Sequence, residues 1–133
     1  MTDPLTAKEL VEKSHEYVER LGRECSKVIF EEYRNSHRKF EQSALPNEVA
    51  TDITRWFQKR DKNISLNFDS FKTNPQTSQS HLKFKGRTKD ADFEISATVS
   101  TFVQSFSQNQ KTICFVKSLT ITANKTEFIR RKT

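Results

Sequence analysis

Four cations, Lys83, Lys85, Arg87 and Lys89, recur at every second position of one short stretch. Successive side chains of an extended strand alternate between faces, so a period of two puts all four on one side. Such a stripe attracts phosphates or an acidic partner. Arg130 and Arg131, in a basic tail over 130–133, are further candidates for the same contacts. The pattern equally describes the solvated face of an antiparallel sheet, or an edge strand guarded by lysines. Phe84 falls on the opposite side, so the stripe offers no interleaved aromatic rings on which bases would stack.

Other chemistry is sparse. His15 and His37 fall in a helical pattern and His81 begins a strand pattern, with no spacing that converges on an acid–base pair. Asp52 is a candidate to face a cavity or, more plainly, a helix surface carboxylate. Cys25 and Cys114 are too few for a zinc site and read as buried reduced thiols. There is no Ser/His/Asp order and no phosphate-cradling glycine loop. No catalytic, cofactor-binding or metal residue is assigned, and a non-enzymatic chain is expected.

With 133 residues the chain is one domain, 1–133, long enough for a core. Only 33% of residues are hydrophobic, but eleven are Phe, each of which buries a large area. Lys+Arg 23 against Asp+Glu 17 gives +6, favouring solubility and acidic or nucleic-acid partners. The first residues, Met1-Thr2-Asp3-Pro4, lack the basic and apolar regions of a leader, and no apolar run approaches a membrane span. A cytoplasmic or nuclear protein is expected, with no membrane partner.

The elements that must position these residues follow from periodicity. Leu10, Tyr17, Leu21, Cys25, Val28, Ile29, Tyr33 and Phe40 predict one long helix over 6–41, with Gly22 marking a bend or a close approach. Val49, Ile53, Trp56 and Phe57 predict a second helix over 46–60, opened by Pro46. From 63 to 129 the period becomes two, predicting four antiparallel strands with a polar connection at 73–80. Phe71 is out of phase with Ile64, Leu66 and Phe68, which implies a bulge or twist. Phe93, Ile95, Ala97, Val99, Thr101 and Val103 share one face of the third strand; Ile113, Phe115, Leu119 and Ile121 share one of the fourth, interrupted at Lys117. The fold class is α+β, two helices on a curved four-stranded sheet.

The outward side of the third strand holds Ser96, Thr98, Ser100, Phe102, Gln104 and Phe106, uncharged apart from Glu94. A large uncharged sheet face seldom stays bare in a monomer. Phe102, Phe106, Ser100 and Gln104 are therefore the candidate partner interface. A bulge near Thr101 that turns Phe102 inward is the competing arrangement.

Within the cystatin-like α+β folds, the residues resemble the NTF2-like family, nearest the small NTF2-related partners of messenger-RNA export receptors. Val28-Ile29-Phe30-Glu31-Glu32-Tyr33 with Arg38-Lys39 is similar to that family's first-helix pattern. Ile53-Thr54-Arg55-Trp56-Phe57 stands where it has a short helix before the sheet, and Asp92-Phe93-Glu94-Ile95 and the stretch 115–128 where it has long pairing strands. Residues 41–47 are too few for the family's hairpin between the first helices. The resemblance implies a non-enzymatic module that dimerises through its sheet, with itself or a related domain, as an adaptor in nuclear transport or RNA export. The alternatives are a basic domain that binds RNA and a protein with a small-ligand or enzymatic cavity between helix and sheet.

Overall fold

The structure, a computed structural model, describes residues 7–105 and 112–129. The order is α1 (Ala7–Ser36), β1 (Phe40–Glu41), α2 (Leu45–Arg60), β2 (Ser65–Asn74), β3 (Gln79–Arg87), β4 (Ala91–Ser105) and β5 (Thr112–Ile129). The strands form one curled antiparallel sheet in the order β1-β5-β4-β3-β2, with both helices on its inner face. The fold is α+β as expected, with five strands rather than four.

The additional strand comes from the end of the expected first helix. α1 stops at Ser36, where His37 takes a left-handed φ of 49°. The Arg38 amide then donates to the Tyr33 carbonyl (3.1 Å), a Schellman closure that releases the chain. Phe40 and Glu41 pair with Cys114 and Ile113 on β5, and the Phe40 ring is buried. The polar connection expected at 73–80 is also shorter: β2 runs to Asn74 and β3 starts at Gln79. Asn74 Oδ1 accepts from the Gln76 amide (3.0 Å) within the tight link.

α1 buries Val18, Leu21, Cys25, Ile29 and Tyr33, a stripe at steps of three and four, while Val28 is exposed. It lies mainly on β5 and runs unbroken through Gly22. Gly22 instead permits close approach: a β-carbon there would stand 3.1 Å from Ile121 Cγ2. His15 Nε2 donates to the Ala123 carbonyl (2.9 Å), so the helix touches the backbone of β5 as well as its side chains. α2 buries Val49, Ala50, Ile53 and Phe57 against β2 and β3; Trp56 is only partly buried.

Two tyrosines of α1 clasp α2. Tyr17 Oη donates to Asp61 Oδ2 (2.7 Å) and Tyr33 Oη to Asp52 Oδ2 (2.6 Å). Arg38 Nη1 donates to the same Asp52 oxygen (2.8 Å), and its guanidinium lies 4.6 Å from the Phe40 ring centroid. Asp52 thus ties the end of α1, β1 and α2 together. Burial, then the bond to Asp52, holds the Tyr33 phenol well above its ordinary pKa. The Asn63 amide, then Tyr17, holds the Asp61 carboxyl below its own.

Candidate partner interface

The interface candidates depend on the phase of β4 and β5. Ala91, Phe93, Ile95, Ala97 and Val99 of β4 are buried beneath the helices. The strand keeps its alternation beyond them, so Ser100, Phe102 and Gln104 share the outer face, and Phe102 is 58% exposed. The bulge lies on the partner strand. Ser100 pairs with Ser118 and Thr101 with Val116, leaving Lys117 as the extra residue of β5.

That residue inverts the phase of β5. Leu119, Ile121 and Ala123 face the core on one side of it; Cys114 and Val116 face the core on the other. Ile113 and Phe115, expected on the same face as Leu119 and Ile121, are instead on the outer face. Phe115 stands directly opposite Phe102, and Ile113 opposite Gln104. The Lys117 ammonium lies 5.0 Å from the Phe102 ring centroid, within cation–π range. Residues 113–116 are all apolar, so sequence alone leaves their phase open; the single interrupting lysine is the signal of the change.

Alongside this apolar end runs a field of hydroxyls. Ser96 pairs with Thr122, Thr98 with Thr120 and Ser100 with Ser118. Asn124 Nδ2 donates to Ser96 Oγ (3.2 Å), His81 Nδ1 shares a hydrogen bond with Thr98 Oγ1 (3.2 Å), and Gln79 Nε2 donates to Ser100 Oγ (3.4 Å). From Ser96 to Gln104 the outer face of β4 bears no charge. Phe106, Arg130 and Arg131 lie outside the described residues.

The basic stripe occupies the neighbouring part of the same face, and it is matched by carboxylates. Lys83 Nζ is 3.7 Å from Glu94 Oε1, Lys85 Nζ is 3.9 Å from Asp69 Oδ1, and Arg87 Nε is 3.1 Å from Asp92 Oδ1. Lys89 leaves the stripe because β3 ends at Arg87. Buried Thr88 forms the turn: its hydroxyl accepts from the Asp90 and Ala91 amides at 3.3 and 3.1 Å.

Cys25, Ile53, Phe57, Phe84 and Cys114 have no exposed surface, and burial pushes both thiols above their ordinary pKa. Among the described residues no helix is long and apolar enough to cross a membrane. Compared with protein-family models, curated proteins and solved structures, the chain matches none.

Proposed function

We propose that this chain is a non-enzymatic protein-interaction module of NTF2-like type, pairing through the outer face of β4 and β5 with a second copy or a related domain. The observation that carries the reading is Phe102, 58% exposed and opposite Phe115, with Ile113 beside them and a field of hydroxyls and amides alongside. Aromatic side chains in such a setting are the usual anchors of an interface. Hydroxyls both donate and accept, so the hydroxyl fields of two such faces satisfy one another's hydrogen bonds. The order of helix, helix and meander, with a long helix laid across a curled sheet, supports the NTF2-like assignment. A role as adaptor in nuclear transport or RNA export rests on that resemblance.

The RNA-binding alternative draws less support, because Lys83, Lys85 and Arg87 each face a carboxylate. A photo-reactive phenylalanine analogue at position 102 tests the reading in cells that express the protein. A covalent adduct with a protein is expected from position 102 and not from exposed Lys27 on α1. Equal labelling from the two positions, or none from 102, contradicts it.

A further inference from the structure

The two edges of the sheet are treated differently. At one, β1 pairs with the start of β5, His15 bonds to the Ala123 carbonyl, and α1 presses on Ile121 through Gly22. At the other lies β2, and no described strand pairs with its free side. The second half of β2 carries devices that discourage strand addition. Asp69 is an extra residue between the Phe68–Phe84 and Ser70–Lys83 pairs, and Lys72 follows it. The first half, Ser65-Leu66-Asn67-Phe68, carries neither charge nor bulge.

This unguarded half opens into a cleft of about 690 Å³ against α2. Asn47, Thr51, Thr54 and Gln58 form its helical wall, and Leu66 and Phe68 contribute from the strand. The wall residues recur at steps of four, three and four, one stripe of uncharged polar side chains. Arg55 is the one charged residue lining the cleft among those described. Phe71, the next residue on the inner face past the bulge, is 48% exposed.

We infer that residues 65–68 accept a short extended segment of a partner protein as an added strand, wedged between β2 and α2. A free row of strand amides and carbonyls is complementary to another extended backbone. Period two then sends alternate side chains of the segment toward half-buried Phe68 and the rim of buried Leu66, so those positions are apolar. The wall supplies amides and hydroxyls but few countercharges, so the segment is uncharged except for an acidic residue opposite Arg55. The bulge at Asp69 ends the pairing after about four or five residues. This surface is separate from the outer face around Phe102 and does not depend on it.

Selection of a displayed library of random linear peptides against the full chain tests the inference. Enriched peptides should alternate apolar and polar residues. A synthetic peptide of the enriched sequence should slow amide exchange at residues 65–68 by roughly tenfold or more. The double variant Thr54→Arg, Gln58→Arg, which alters only the helical wall of the cleft, should weaken that peptide by a similar factor. Failure to enrich alternating peptides overturns the inference, as does protection confined to other residues of the parent chain.

Discussion

Phe102 and Phe115 stand opposite each other on the outer face because Lys117 is an extra residue in β5. Were Lys117 paired as an ordinary strand residue, the strand would keep one phase from Cys114 to Ala123. Either Phe115 would share the inner face with Leu119 and Ile121, or those two would be turned outward. The bulge therefore reconciles a buried core with an aromatic pair on the outside. A slip of one residue moves every side chain of a strand to the other face.

Deleting Lys117 removes the extra residue and leaves every other β4–β5 pair and both faces of β5 as they are, so it should stay within about 2 kcal/mol of the parent. Deleting Thr120 instead makes Leu119 and Ile121 neighbours that cannot both face the core, and should cost more than about 4 kcal/mol. Lys117→Thr, which keeps the residue count, should stay within about 1 kcal/mol of the parent in denaturant unfolding. Equal stability of the two deletions would show that the phase of β5 is not set by the bulge.

Much of this was legible in the sequence. Alternation from Phe93 to Val103 predicts β4 and the outward position of Phe102, and the misfit of Phe71 predicts the bulge that falls at Asp69. Gly22 signals a bend or a close approach, and a β-carbon there would stand 3.1 Å from Ile121 of β5. The phase of residues 113–116 was not legible, since four consecutive apolar residues suit either face. Nor was β1: Phe40 continues a helical pattern, and its place beside Cys114 depends on a contact more than seventy positions away. The carboxylates opposite Lys83, Lys85 and Arg87 come from β2 and β4, so the pairing of the stripe appears only once strand order is known.

Gly22→Val should cost about 1–3 kcal/mol by overpacking against Ile121, despite replacing a helical glycine. Chemical denaturation measures it. The double variant Gly22→Val, Ile121→Ala should recover part of the loss. Full parental stability of the single variant would mean that α1 does not need to approach β5 so closely.

The clasp between α1 and α2 makes a prediction at both ends of the pH scale. Tyr33 is held above its ordinary pKa, so its contribution is fully present below pH ~10 and is lost as pH rises toward the folded value. Asp61 is held below its ordinary pKa, so its contribution is present above pH ~4 and is lost as pH falls through the folded value. Tyr33→Phe should cost about 1–2 kcal/mol at neutral pH, with the gap to the parent narrowing above pH ~10. The gap for Asp61→Asn should narrow below pH ~4. Melting curves of both variants across pH check the signs.

Sedimentation equilibrium of the parent and of Phe102→Ser, each at two protein concentrations, tests the outer face most directly. The parent should approach twice the chain mass at the higher concentration. Phe102→Ser should weaken association by roughly thirtyfold, the loss of about 2 kcal/mol expected of an interface anchor, while melting near the parent when both are dilute. A parent that dimerises with Phe102→Ser unchanged, or a parent monomeric at both concentrations, would contradict self-pairing through this face.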